Sequence, residues 1–353
     1  MKPATCPADL GFYMPAEWEP HSATWMTWPH NPETWPGQDM DDIEAVYIQM
    51  IRALAAGETV NLLVNETSES LFLKETLKNN SLSNENIKIH AIPTNDAWIR
   101  DYGPNFIVRK NRSGIKQVTS NLWKFDSWGG KYEWELDDRA GAAIMATLGV
   151  PAFKPGIVLE GGAIEVNGQG LCLTTEQCLL NPNRNSGLDR AEMESYLKRY
   201  LGVRQIIWCQ GHIEGDDTDG HIDNLVRFVS LDTVLYAWDE DTSDPNHACL
   251  KENLKILESF RDDGGKPLNM VRLPMPGRIE GEEGRLPASY ANFYIGNRAV
   301  LLPTYNHAND AFAESILKKC FPDRDIVSIP CETFVLGLGA IHCVTQQQPL
   351  GET

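Results

Sequence analysis

The sequence predicts an α/β protein folded as one domain over residues 1–353. Three observations carry that expectation. Six segments repeat apolar residues at helical spacing, ten short β-branched segments lie among them, and no Pro/Ser-rich linker or charge block divides the chain.

The helical spacing is clearest over 41–56, 68–78, 137–148, 188–201, 246–261 and 310–319. Asp137, Asp189 and Asn246 stand where a short polar side chain would satisfy the first free N–H groups of a helix. The predicted strands are TVNLLV (59–64), IKIHAI (87–92), NFIVR (105–109), GLCLTT (170–175), QIIWC (205–209), LVRFVS (225–230), TVLYAW (233–238), MVRLP (270–274), AVLLPTY (299–305) and DIVSIP (325–330). Gly, Pro, Asn and Asp bound them, as they commonly bound strands. The stretch 123–134 is rich in Gly and Trp, and its aromatic content predicts an ordered loop rather than a linker.

Composition narrows the function. A 42% hydrophobic, 23% charged chain of 353 residues can bury a sizeable core. No stretch approaches the roughly 20 uninterrupted apolar residues of a membrane helix. The N-terminus has one Lys and no apolar run of the signal-peptide kind, so the expectation is a cytoplasmic protein that does not engage membrane. A net charge of −18 disfavours nucleic acid as a partner and favours small cations, although acidity for solubility alone explains it as well. The eight cysteines show no CxxC pairing, which argues against a zinc site and a disulfide scaffold. Cys172, Cys178 and Cys209 lie in apolar runs and read as small core side chains.

Four polar segments carry candidate chemistry. In Asn95-Asp-Ala-Trp-Ile-Arg-Asp-Tyr-Gly-Pro104, Trp98 offers a π face and Asp101 a carboxylate, the two groups a planar cation needs. A turn with Arg100 paired to an Asp and Trp98 in the core explains it equally. In Leu159-Glu-Gly-Gly-Ala163, Glu160 precedes two glycines that would keep the backbone thin beside a site. In the segment 215–224, Asp219, His221 and Asp223 alternate, so an extended conformation would place them on one face. Carboxylates beside a His raise its pKa, which suits acid–base work. The same acidic run, 216–223, leaves open a divalent metal site, though not an EF-hand. In Gly337-Leu-Gly-Ala-Ile-His-Cys343, Cys343 is a candidate nucleophile, and His342 in an extended segment would face away from it. That makes His221 the better partner. Two carboxylates, a Trp, a His and a Cys together suit guanidine hydrolysis.

The ordered segments WIRDYGP, LEGGAIEV, TDGHIDN and GLGAIHCVTQQQP resemble those of the agmatine deiminases, relatives of the bacterial-type peptidylarginine deiminases in the guanidino-modifying superfamily. The resemblance extends through MPAEWEPHSATWMTWPHNPETWPG, WKFDSWGGKY and LPASYANFYIGN, nearly the whole chain. It implies a five-bladed α/β propeller of ββαβ units with the site on the central axis. It implies Cys343 as nucleophile, His221 as general acid/base, and Glu160 hydrogen-bonded to His221 to orient it. Asp101 and Asp223 would clamp the guanidinium, with Trp98 lining the pocket. The implied substrate is agmatine, on a route to putrescine, with no cofactor or metal and a homo-oligomeric assembly. Peptidyl- or free arginine is the alternative substrate. One departure stands out: the family usually carries glycines or Gly-Gly-Asn before Ile-His-Cys, where this chain has Leu338 and Ala340. A left-handed backbone at either would cost roughly 1 kcal/mol or more.

Overall fold

Crossover connections recur from end to end of the chain, because short strands buried in parallel pairs must be joined through a helix. The computed structural model describes residues 5–82, 85–111, 113–282 and 284–353. Residues 1–4, part of the N-terminal stretch read above, lie outside them.

The first unit runs β1 (His21–Thr27), α1 (Met40–Leu54), β2 (Thr59–Val64), α2 (Thr67–Asn79) and β3 (Ile87–Ala91), with both strand pairs parallel. Next come α3 (Ile99–Tyr102), the antiparallel pair β4 (Asn105–Lys110) and β5 (Lys116–Asn121), the turn α4 (Ser127–Gly130) and α5 (Asp137–Leu148). After α5 the chain returns in parallel bridges, Phe153 beside Asn121 and Val158 beside Lys124. The third unit pairs β6 (Glu165–Val166) antiparallel with β7 (Leu171–Thr175). It then passes through α6 (Glu176–Leu179), α7 (Pro182–Asn185) and α8 (Arg190–Leu201) to β8 (Gln205–Cys209), parallel to β7.

The same order follows twice more. β9 (Val226–Phe228) lies antiparallel to β10 (Thr233–Trp238), and α9 (His247–Ser259) leads to β11 (Asn269–Pro274), parallel to β10. A hairpin of β12 (Glu280–Gly281) and β13 (Gly284–Arg285) intervenes. Then β14 (Tyr294–Ile295) and β15 (Ala299–Thr304) pair antiparallel, and α10 (Asp310–Cys320) leads to β16 (Asp325–Pro330), parallel to β15. Finally β17 (Gln346–Pro349) returns to lie antiparallel to β1, with Gln346 opposite Trp25. That pairing gives the first sheet its antiparallel strand and joins the two ends of the chain.

All six helices and all ten strands expected from periodicity are present. Among the described residues seven further strands, β1, β5, β6, β12, β13, β14 and β17, were silent in the pattern. β17 is three glutamines and a proline, yet Gln346, Gln347 and Gln348 are buried. Their amides are satisfied internally: Gln347 Oε1 accepts from Arg100 at 2.7 Å and Gln348 Oε1 from Trp25 Nε1 at 2.9 Å. β1 (HSATWMT) and β5 (KQVTSN) are likewise mixed in character; β1 is held by the distant β17 and by β2, and β5 by its hairpin partner β4.

Of the three expected helix caps, Asp189 alone acts as one, in a full capping box with Glu192. Asp137 instead accepts from the N–H groups of Asn95 (2.7 Å) and Asp96 (3.3 Å), and Asn246 accepts from Glu214 N at 2.8 Å. Both side chains reach across to loops that the local sequence could not reveal. The Trp-rich stretch is ordered, as expected, and Ser127 and Trp128 adopt left-handed φ of 56° and 55°. Among the described residues no helix is long and apolar enough to cross a membrane. Replacing Asp189 by Ala removes an exposed cap outside the four polar segments. The expected result is a loss of about 1 kcal/mol in urea unfolding, with catalytic constants unchanged.

Candidate active site

Three loops and the turn before β17 bring the polar segments together. α3 carries Asp101 and is anchored on its N-terminal side. Asp137 holds the preceding loop, and Arg100 N donates to the Cys343 carbonyl at 3.1 Å. The Glu160 loop turns tightly at 161–163, and His221 starts another tight turn, 222–224, that carries Asp223. The expected strand face of Asp219, His221 and Asp223 is therefore absent. β9 begins only at Val226, and Asp219 (φ 64°) turns outward to Asn183, Arg184 and Lys131.

Asp101, His221 and Asp223 converge on the empty side of Gly162. A Cβ there would lie 2.6 Å from His221 Nδ1, 2.9 Å from Asp101 Oδ1 and 3.0 Å from Asp223 Oδ2. Only glycine fits that approach. Asp101 is held by two donors: Gly162 N at 2.9 Å on Oδ1 and Trp128 Nε1 at 3.0 Å on Oδ2. Asp223 is held on Oδ2 by His342 Nδ1 at 2.8 Å, while its buried Oδ1 has no hydrogen-bond partner among the described residues. Both ring nitrogens of His221 are likewise buried without hydrogen bonds, with Nδ1 3.7 Å from Asp101 Oδ1.

Charge sets the protonation states. Burial alone would lower the His221 pKa, but Asp101, Asp223, Glu160 and Asp216 outweigh it and hold it above the usual histidine value. Burial raises Asp101, with His221 opposing and Asp223 adding to the rise. Burial would also raise Asp223, but its bond to His342 and the nearby His221 and Arg227 charges keep it below the usual carboxylate range. Cys343 is buried, and burial together with Asp223 and Asp101 holds its thiol far above the ordinary cysteine value. The thiol is therefore protonated at rest, under the field of two carboxylates. Asn292 Nδ2 lies 3.4 Å from the sulfur.

The remaining candidates fall in distinct places. Glu160 does not hydrogen-bond His221. Its carboxylate pairs with the buried Arg184 guanidinium, which also reaches Asp219 and the Thr218 carbonyl. The expected orienting bond is thus replaced by an electrostatic contact, because the stronger donor claims the carboxylate. Trp98 is buried against Trp35 and Phe334, and its ring closes over Gly339, where a Cβ would come within 2.5 Å. It backs the loop that leads to Cys343. Leu338 in that loop has the left-handed φ of 66° that its departure from glycine made a concern; Ala340 does not. His342 faces Asp223 and Glu17, as its expected orientation away from the thiol requires.

Glu160, Cys178 and His221 place one ligand atom each within 4.8 Å of one another. Their chemistry suits a metal poorly. Arg184 already neutralises Glu160, and burial keeps the Cys178 thiol protonated. Cys172 and Cys209 are buried thiols held protonated in the same way, as their apolar surroundings implied.

A protonated thiol that loses its carboxylate field when a cation arrives suits attack on a planar, positively charged carbon, the chemistry of guanidine-modifying enzymes. Within that class, the chain belongs to the Porphyromonas-type peptidyl-arginine deiminase family, whose pattern it matches over residues 13–349. It is 37% identical to the agmatine deiminase of Ectopseudomonas mendocina (strain ymp), over 98% of this chain and 97% of that protein. It is 36% identical to the agmatine deiminase of Stutzerimonas stutzeri (strain A1501), over 97% of each. Its α/β fold matches that of Enterococcus faecalis agmatine deiminase with a TM-score of 0.88 at 30% identity, covering 98% of each chain. A substrate-bound cysteine-to-serine variant of C. jejuni agmatine deiminase matches at 0.85 and 30% identity, covering 97% of each.

Five residues in or beside the site escaped the motif reading: Trp128, Arg184, Asn292, Glu17 and His342's role beside Asp223. Their contacts span dozens to hundreds of positions; Glu17, Trp128 and Asn292 lie in segments that the resemblance covers, but no residue-by-residue reading singled them out. Replacing Gly162 by Ala puts a methyl group among His221, Asp101 and Asp223. Turnover is expected to fall at least about 100-fold, with a far-UV circular dichroism spectrum like that of wild type.

Proposed function

We propose that this protein is an agmatine deiminase, hydrolysing agmatine to N-carbamoylputrescine and ammonia through a covalent cysteine adduct. The observation that carries the reading is the convergence of Asp101, His221 and Asp223 on one point, with Cys343 under the field of both carboxylates. The names of its relatives supply the substrate. We extend the proposal to the architecture: the repeated units form a single five-bladed propeller with the site on its axis, in a cytoplasmic homo-oligomer.

Asp101 and Asp223 receive the guanidinium, with the free Oδ1 of Asp223 accepting one of its N–H groups. The arriving positive charge offsets the field that kept Cys343 protonated, so the thiol releases its proton to solvent as substrate binds. Thiolate attack on the guanidinium carbon forms a C–S bond and a tetrahedral adduct. His221, protonated, gives its proton to the departing nitrogen; the C–N bond breaks and ammonia leaves. Water then attacks the S-alkylthiouronium and neutral His221 takes one of its protons; the C–S bond breaks, the remaining hydroxyl proton passes to the departing sulfur, and the thiol is returned as the urea product is released. General acid–base help is worth typically ~10²–10⁴ in rate. Glu160, fixed by Arg184, adds to the negative field on His221. Trp98 supports the Cys343 loop.

Agmatine fits better than arginine. An α-carboxylate calls for a cationic partner, and the nearby Arg100, Arg184 and Arg227 are engaged by Glu17, Glu160 and Glu165.

Ammonia release from agmatine, free arginine and a C-terminal-arginine peptide tests the reading. Agmatine is expected to be turned over with clear preference, and Cys343→Ser to be inactive. Preference for either arginine substrate, or an active Cys343→Ser, sinks the assignment. Because the carboxylates raise His221, kcat/KM is expected to fall only above the ordinary histidine pKa. Asp101→Asn removes the leading cause that raises it, so the alkaline limb of the residual activity moves to lower pH.

A further inference from the structure

His342 has no part in the chemistry above, yet it is buried between two carboxylates. Nδ1 lies 2.8 Å from Asp223 Oδ2 and Nε2 lies 2.8 Å from Glu17 Oε2. Burial opposes ionisation of Glu17, but Arg227, His342 and Arg100 outweigh it and hold its pKa well below the usual range. Asp223 is ionised as well. Each ring nitrogen therefore meets a carboxylate oxygen, an acceptor. Glu17 is itself immobilised: Oε1 accepts from Ile295 N at 2.8 Å and from Arg227 at 3.0 Å. His342 N is fixed by Asn292 Oδ1 at 2.9 Å, and its carbonyl accepts from Arg100 Nε at 3.3 Å.

We propose that His342 is a positioning residue for substrate binding: it pins Oδ2 of Asp223, leaving Oδ1 as the one oxygen presented to the guanidinium, and Glu17 holds it in that role. The inference rests on the guanidinium-clamp reading of the site. A carboxylate free to rotate would offer either oxygen, or turn both toward a bidentate contact. One that is tied can accept along a single direction, leaving the carbon exposed to the thiol. Neither His342 nor Glu17 need touch substrate. The arrangement explains why a glutamate from the N-terminal segment lies buried beneath a site built from other segments.

The test compares kcat and KM for agmatine in wild type, His342→Asn and His342→Gln. An Asn amide places its N–H where Nδ1 stands and keeps the bond to Asp223; a Gln amide reaches the position of Nε2 and loses it. His342→Asn is expected to keep KM within a few-fold of wild type, roughly the scale of one weakened hydrogen bond. His342→Gln is expected to raise KM roughly ten- to a hundredfold, with a smaller fall in kcat. In a Cys343→Ser background, agmatine Kd should show that His342→Gln adds little once Asp223 is Asn. Equal KM in the Asn and Gln variants, or a full additional loss on Asp223→Asn, overturns the proposal. If His342→Gln does not fold, His342→Asn decides alone: a KM near wild type upholds the role, and one as high as that of Asp223→Asn rejects it. Failure of wild type to turn over agmatine would instead remove the functional reading, so the two failures are distinguishable.

Discussion

A buried ion network ties the polypeptide together beneath the site. Arg227 is fully buried between Glu17 and Glu165, at 3.0 Å from each, and also donates to the carbonyls of Ala291 and Phe293. Glu17 in turn meets His342 and Arg100, and Arg100 reaches Gln347 on β17. Taking such charges out of water costs several kcal/mol per ion, a cost that is offset only when every partner is in place. The network therefore constrains the N-terminal segment, β6, β9, β14, α3 and the turn before β17 to assemble together. It also explains why those elements are short or polar. Their role is to meet specific charges, and hydrophobic periodicity has little hold on them.

The electrostatics of the site follow from the same low-dielectric setting. Burial raises the pKa of Asp101 and Cys343, neighbouring carboxylates add to the rise, and a cationic ligand offsets the carboxylate part. Recognition and activation are then one event. An unreactive thiol awaits a substrate whose charge makes it a nucleophile, which limits adventitious oxidation and alkylation in the free protein. His221 gains from the same field in the opposite sense, since negative charge favours its protonated form.

Backbone strain collects where these groups are displayed. Leu338 sits at φ 66° in the loop before Cys343, at a cost of roughly 1–2 kcal/mol for a residue with a Cβ. Ser127 and Trp128 are also left-handed, and their turn delivers the Trp128 indole to Asp101. Lys131 pairs with Asp217 and Asp219, connecting this aromatic turn to the loop that carries His221. The surrounding network over-determines each conformation, which is how strained residues persist at working sites.

Helices and strands with strong periodicity were legible in the sequence, because burial of one face imposes a local pattern that any window can detect. The four polar segments were legible too, since glycine-flanked carboxylates, a His and a Cys are unusual chemistry for turns. What the sequence could not reveal is how those groups share their partners. Asp137 and Asn246 bind loops instead of capping helices, Glu160 answers to Arg184 rather than His221, and His342 turns to Asp223 and Glu17. Each choice is a competition among donors and acceptors brought within about 3 Å by distant parts of the chain. Sequence determined which groups were available and which local conformations they allow; tertiary structure alone decided the pairings, because hydrogen bonds and buried charges depend on distances that only the packed fold defines.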